Sequence, residues 1–326
     1  MLILVACDSR SEAPQGTIAQ GKETNQGSPD HSQPTRSGYA DVEGGRVYYQ
    51  VYGELGSGRT PLLVLHGSFM SGAAMQPLVD RFAPSRPVIT IDARGHGRTG
   101  DLPGPITYDL MADDSARVLA ALNVRTADVI GYSMGAVTAI ALAIRHPDRV
   151  GKQIIIAGTS RRDGWRPEVF QAVSQMTPAN FAGSRMAAEY RRLSPTPNAF
   201  PTLVGKLRDL ERSNYDRPDA AVRAIPGKTM IIVGDTDGVS LDHAVALFRL
   251  RGGDDRQAAA RGVITEAPRA RLAILPATAH VGLMSETALI AALAIPFLDD
   301  RKPAPPEGLF ADMNATPRQA GGTGTR

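Results

Sequence analysis

Short, continuous apolar runs punctuate the middle of the chain. Residues 61–65 (PLLVL), 87–91 (PVITI), 127–130 (ADVI), 153–157 (QIIIA), 229–233 (TMIIV) and 272–275 (LAIL) each stand between polar or turn-forming neighbours. Runs that are apolar throughout, rather than alternating, predict strands buried on both faces. Two of the segments between them have helical character. Residues 107–122 carry apolar side chains at Leu110, Met111, Val118, Leu119 and Leu122, and residues 136–144 are small and apolar throughout, which predicts a buried helix. An earlier β-rich stretch, 47–52, ends at Gly53 and belongs to an opening hairpin. A hairpin followed by strand–helix repeats predicts an α/β fold, a mostly parallel sheet with helices on both faces.

One stretch breaks this alternation. Residues 160–226 contain several prolines and a run of basic and aromatic positions (Arg161, Arg162, Trp165, Arg166), with helical signals only over 186–193 and 203–212. That is too long for an ordinary connection and predicts a helical cap inserted between two strands. The core is then divided into 38–159 and 227–300. Both ends differ from it. Residues 8–37 are rich in Ser, Gln, Thr, Gly and Pro and predict a flexible tether, and 301–326 has the character of a loose tail. At the start, Leu4-Val5-Ala6-Cys7 resembles the lipobox of a bacterial lipoprotein signal, although the apolar stretch before it is short and no basic residue precedes it. The expectation is a lipid-anchored, periplasmic or membrane-tethered protein, with Cys7 as the attachment residue. The alternative is a frayed cytoplasmic N-terminus.

Composition narrows the function classes. Of 326 residues, 42% are hydrophobic, enough for a sizeable core. A single cysteine rules out an intrachain disulfide and a Cys-rich zinc site. Thirty-six Lys and Arg against 33 Asp and Glu leave a net charge of +3, and no dense basic run with interleaved aromatics marks a nucleic-acid surface. No His pair has metal-ligand spacing. Neither a metal nor a cofactor is expected.

The chemistry gathers at the ends of the predicted strands. Gly131-Tyr132-Ser133-Met134-Gly135 fits G-x-S-x-G and sits directly after one buried strand and before one buried helix. A sharp turn there exposes a serine that needs an adjacent base to act as a nucleophile. His66-Gly67-Ser68-Phe69 ends an earlier strand, where a backbone N–H can face a developing oxyanion. Ser68 is the first choice and Phe69 the alternative, with the N–H of Met134 as second donor and its side chain at the site rim. Gly234-Asp235-Thr236-Asp237 follows the next-to-last strand, and His280 follows the last. The order Ser, Asp, His suits a nucleophile, an orienting acid and a base. Asp237, farthest from the strand end, is best placed to reach a loop histidine, and Asp235 and then Asp242 are the competitors. His66, inside the oxyanion turn, is a poor candidate for the base. Phe69, Trp165 and Phe170 are candidates for contact with substrate, and Trp165 and Phe170 serve equally well as packing residues.

Taken together, the segments HGSF, DARGHGRT, GYSMG, GDTDGVS and ATAHVGL resemble the α/β-hydrolase superfamily over 38–300. The resemblance implies a helical cap and an acid three positions after the glycine, which falls on Asp237. It also implies a bracing role for the Asp92–Arg98 turn. One departure is Ala136, where a second glycine is common. A serine nucleophile argues against the carboxylate-dependent dehalogenases and epoxide hydrolases of that superfamily. The expected activity is hydrolysis of a small-molecule ester or lactone through an acyl-enzyme on Ser133. A cofactor-free perhydrolase or haloperoxidase and a slow-turnover ligand receptor are the alternatives. Oligomeric state is not legible in the sequence.

Overall fold

A computed structural model describes residues 32–264 and 266–302. Cys7, the 8–31 part of the expected tether, and the tail beyond residue 302 lie outside the described residues. The strands are β1 (Arg36–Val42), β2 (Gly45–Tyr52), β3 (Leu62–Leu65), β4 (Val88–Asp92), β5 (Ala127–Tyr132), β6 (Val150–Ile156), β7 (Thr229–Thr236) and β8 (Ala270–Ala279). They form one sheet in the order β1-β2-β4-β3-β5-β6-β7-β8. The β1–β2 and β2–β4 pairs are antiparallel and all others are parallel. The apolar runs read from sequence are these strands, and every residue of β3, β4 and β5 is buried.

The helices connecting the core are α1 (Gln76–Phe82), α2 (Tyr108–Ala121) and α3 (Met134–Arg145). From β3 the chain crosses through α1 to β4 on one side. It then returns through α2 to β5 and continues through α3 to β6 on the other side. Right-handed crossovers in opposite directions place α1 on one face and α2 with α3 on the other. The buried helix begins two residues earlier than its apolar run, because Met134 and Gly135 are already helical.

Between β6 and β7 lies the predicted insertion. It contains α4 (Pro167–Ser174), α5 (Arg185–Leu193), α6 (Phe200–Arg212) and α7 (Asp219–Ala224). The expected signals at 186–193 and 203–212 are α5 and α6. The short α4 and α7 carry too few periodic positions to be recognised in sequence. Leu203, Val204, Leu207 and Leu210 give α6 a buried apolar face, and the segment joins the main core through Trp165, Phe181 and Phe200. After β7 come α8 (Leu241–Leu250), α9 (Arg256–Arg261) and, following β8, α10 (Thr287–Leu298), which packs on α1.

This arrangement brings the loops after β3, β4, β5, β6, β7 and β8 to one edge of the sheet, the carboxyl ends of its parallel strands. In open α/β sheets that edge is where ligands bind.

Candidate active site

Ser133 stands on the turn between β5 and α3 with φ 55° and ψ −117°, a conformation disfavoured for a side-chain-bearing residue. The turn is held by its own packing. A Cβ on Gly131 would lie 2.2 Å from the Gly135 carbonyl oxygen, and one on Gly135 would lie 2.2 Å from that of Leu65. Strand, turn and helix therefore approach to distances that only glycine permits. Ala136, the departure from the expected pattern, is matched across the packing. A Cβ on Gly158 would meet the Ala136 methyl at 2.4 Å, so the small residue has moved to the neighbouring segment.

Three expected residues meet here. His280 Nε2 lies 3.0 Å from Ser133 Oγ, and His280 Nδ1 lies 2.8 Å from Asp237 Oδ1. Asp237 is 1% exposed. Its Oδ1 also accepts the Val239 N–H at 3.0 Å, and the Gly234 N–H approaches its Oδ2 at 3.4 Å. With Oδ1 as the acceptor, Nδ1 of the ring is the donor and Nε2 is free to take the serine proton. Asp235 and Asp242 stand apart from the array. Asp235 is exposed and accepts the N–H groups of Ala277 at 2.8 Å and Thr278 at 3.1 Å, which holds its carboxyl below the usual range and braces the loop leading to His280. Asp242 lies exposed in the first turn of α8.

The histidine is fixed from several directions. The Tyr132 hydroxyl donates to the His280 carbonyl at 3.0 Å, and the Tyr132 ring lies 5.3 Å from the imidazole. Trp165 presents an edge to the imidazole at 5.5 Å. Its Nε1 donates to the Tyr215 hydroxyl at 2.7 Å. Trp165, 7% exposed, is thus both a packing residue and a neighbour of the reacting centre. Arg166 Nε donates to the Asp237 carbonyl at 2.9 Å, tying the inserted segment to the acid loop. Tyr132 occupies the variable position of G-x-S-x-G, and nothing in the sequence distinguished it or Arg166. Phe170 lies farther out, with the Arg162 guanidinium over its ring at 4.0 Å.

The loop after β3 carries Ser68 and Phe69, the two residues expected to offer an oxyanion donor. The Phe69 N–H is engaged by His96 Nε2 at 3.2 Å. The Ser68 N–H has no acceptor among the described residues, and the Met134 N–H, first in its helix, has no intrahelical acceptor. Ser68 and Met134 are therefore the available pair. The Phe69 ring reaches the inserted segment, 4.6 Å from Phe181 and 6.2 Å from Phe200. One expectation is corrected: the Met134 side chain is not at the rim. It is 2% exposed and lines a small internal cavity with Leu65, Met111 and Thr138, because it opens a helix that is buried from Met134 to Ala143.

His66 and His96 are part of the scaffold. His66 Nε2 accepts the Ala93 N–H at 3.0 Å and its Nδ1 faces the Gly67 carbonyl at 2.8 Å. His96 Nδ1 faces the Arg94 carbonyl at 3.0 Å. In both rings an acceptor Nε2 and a carbonyl at Nδ1 select the neutral Nδ1–H tautomer. Burial pushes both below the ordinary histidine value, His96 to about 3. The rest of the turn is equally engaged. Asp92 accepts the Gly72 and Arg98 N–H groups, each at 2.7 Å, and Arg94 makes a two-pronged contact with Asp114.

A family model described as the alpha/beta hydrolase fold matches residues 60–225. The chain belongs to the alpha/beta hydrolase fold family. An Aliivibrio salmonicida pimeloyl-acyl-carrier-protein methyl ester esterase is 35% identical over 207 residues, covering 63% of this chain and 73% of that protein. A Caulobacter segnis protein, provisionally named as the carbamate hydrolase RutD, is 38% identical over 119 residues, 36% of this chain and 45% of its own length. The chain thus spans about half the length of the carbamate hydrolase relatives it matches. Among solved structures, the Burkholderia xenovorans enol-lactonase superposes with a TM-score of 0.60 at 19% identity, covering 80% of this chain and all of that one. That likeness is one of fold. Among the described residues no group of His, Cys, Asp and Glu could hold a metal, and no helix is long and apolar enough to cross a membrane.

Proposed function

We propose that the protein is a serine hydrolase that cleaves a carboxylic ester or lactone. One observation carries this reading: Ser133 Oγ, on a strained turn, lies 3.0 Å from His280 Nε2, whose Nδ1 is 2.8 Å from the buried Asp237. Ser133 Oγ attacks the acyl carbon and its proton passes to His280 Nε2. The carbonyl oxygen gains the charge and, in this reading, accepts from the N–H groups of Ser68 and Met134. The tetrahedral adduct collapses, the C–O bond to the alcohol breaks, and the alcohol oxygen takes the proton from Nε2. Water then gives a proton to the same nitrogen and attacks the acyl-enzyme, and Ser133 leaves with that proton. Asp237 remains ionised and stabilises the imidazolium. In a lactone the alcohol stays attached to the acyl chain.

The helices between β6 and β7 act in this reading as a cap, with Trp165, Phe69, Phe181 and Phe200 forming the apolar side of the substrate space. The test is a panel of p-nitrophenyl esters, lactones and peroxide-dependent substrates, run on wild type and S133A. Hydrolysis lost in S133A supports the reading. Peroxide-dependent oxidation in place of hydrolysis points to a perhydrolase, and tight ligand retention without turnover points to a receptor.

We also propose that Cys7 carries a lipid anchor. The support is the Leu4-Val5-Ala6-Cys7 pattern and the polar stretch after it. Membrane fractionation of the native protein with mass analysis of its N-terminal peptide decides it, and an unmodified Met1 peptide in the soluble fraction contradicts it.

A further inference from the structure

Helix α6 brings a carboxyl group to the cap side of the reacting centre that the mechanism above does not use. Glu211, half-buried at the end of that helix, lies within electrostatic range of His280. Among the described residues it has no ion pair. Apart from His280 and Tyr108, its charged or titratable neighbours are directed elsewhere. Arg162, from the segment after β6, stacks on Phe170 and donates from Nε to the Glu211 backbone carbonyl at 3.4 Å, not to the carboxylate. Arg217 is held by Asp109. The Tyr215 hydroxyl is committed to Thr159 at 2.8 Å and to Trp165 Nε1. Only the Tyr108 hydroxyl, from the first turn of α2, faces the carboxyl. It too is unusual. Tyr108 is 2% exposed, and its hydroxyl completes no hydrogen bond of sound geometry. A carboxyl without a cation and a buried phenol without a full partner lie together on the Tyr215 and Trp165 side of His280: the Tyr108 ring is 4.7 Å from that of Tyr215, whose hydroxyl holds the Trp165 indole against the imidazole. The buried carboxylates of Asp114 and Asp128, by contrast, are paired with arginine. Buried polar groups are seldom left this way without a ligand to complete them.

We propose that Glu211, with Tyr108 beside it, is the specificity group of the substrate space, receiving an ammonium or other N–H or O–H donor on the substrate and disfavouring anionic acyl chains. This rests on the ester-hydrolase reading and names its substrate class. Donor groups on the substrate complete the acceptor capacity that the protein leaves open, and a substrate carboxylate meets like charge in a poorly solvated place. Burial raises the Glu211 carboxyl to about 7. Its charge, and with it the selectivity, therefore changes across neutral pH.

The test compares p-nitrophenyl 6-aminohexanoate, heptanoate and the mono-ester of adipate on wild type, E211Q and Y108F, as ratios of kcat/KM from pH 6 to 8.5. Taking ratios on one enzyme cancels any pH dependence of the catalytic step that the three substrates share, and the substrate charges stay constant over that range. Wild type is expected to prefer the ammonium ester to the carboxylate ester by about tenfold or more at pH 8, with the preference shrinking as the pH falls through 7. E211Q is expected to show a ratio near one that does not vary with pH, and Y108F a smaller preference than wild type. A merely structural role for Glu211 would move Tm but not a pH-dependent ratio, and the wild-type profile is itself a test if a variant fails to fold. Hydrolysis of p-nitrophenyl acetate by wild type without a pH-dependent preference in the series overturns this proposal alone. Absence of hydrolysis of every ester overturns the ester-hydrolase reading and this proposal with it.

Discussion

Replacing His96 by Gln should flatten part of the loss of stability in acid. His96 is 1% exposed, neutral, and joined through Nε2 to the Phe69 N–H and through Nδ1 to the Arg94 carbonyl. Protonation would remove the acceptor that Phe69 needs and place a charge in the core beside His66, 5.0 Å away between ring centres. Burial accordingly lowers the group from 6.5 to about 3. The sign follows from proton binding. Below pH 6.5 the unfolded chain takes up a proton on this ring and the folded chain does not, so stability present above that pH is lost as the pH falls towards 3. At pH 5 the unfolded ring lies about one and a half pH units below its pKa. At about 1.4 kcal/mol per unit, this gives a loss of about 2 kcal/mol relative to pH 7. Glutamine keeps an acceptor for Phe69 and a donor for Arg94 but does not titrate. Urea titrations followed by circular dichroism, on wild type and H96Q at pH 7 and pH 5, measure the difference. H96Q should lose about 2 kcal/mol less than wild type over that interval. The other titrating groups, among them His243, lowered by burial to about 4, and Glu211, which acts in the opposite direction, are common to both proteins. Equal losses in the two proteins would refute a neutral, buried His96.

Two further substitutions separate roles that the sequence placed close together. D237N should lower kcat by about 10³-fold or more with little change in fold, because Asn leaves Nδ1 of His280 without its ionised partner. D235N should leave kcat within about tenfold of wild type and lower Tm, since Asp235 braces the Ala277 and Thr278 N–H groups; the reverse pattern exchanges the acid. G135A should destabilise the protein by about 3 kcal/mol and reduce hydrolytic activity, as its Cβ would lie 2.2 Å from the Leu65 carbonyl oxygen. An unchanged melting curve would show that the turn is looser than described.

The strand framework was legible because a sheet covered on both faces writes itself as uninterrupted apolar runs. Ser133, Asp237 and His280 were legible because each follows such a run. What the sequence left open depends on contacts between distant segments. That the Phe69 N–H is already engaged, and that of Ser68 is not, depends on His96, whose ring reaches it from the loop after β4. The Met134 side chain was misplaced because its direction is set by the first turn of α3 and not by its position beside the serine. Helices α4 and α7 bury only Val173 and Val222 respectively, too few apolar positions to mark a helical face in the sequence. Glu211 carries no local signal, since α6 reads as an ordinary amphipathic helix and only packing brings its last turn towards His280 and Tyr108.

The central claim, that Ser133 is a nucleophile activated by His280, is tested most directly by covalent labelling. The native protein would be treated with a fluorophosphonate, followed by intact-mass measurement and peptide mapping. The account predicts one adduct, located on Ser133 and absent from S133A and from protein pre-incubated with an ester substrate. An adduct on another serine that persists in S133A, or no adduct in a folded protein, would contradict it.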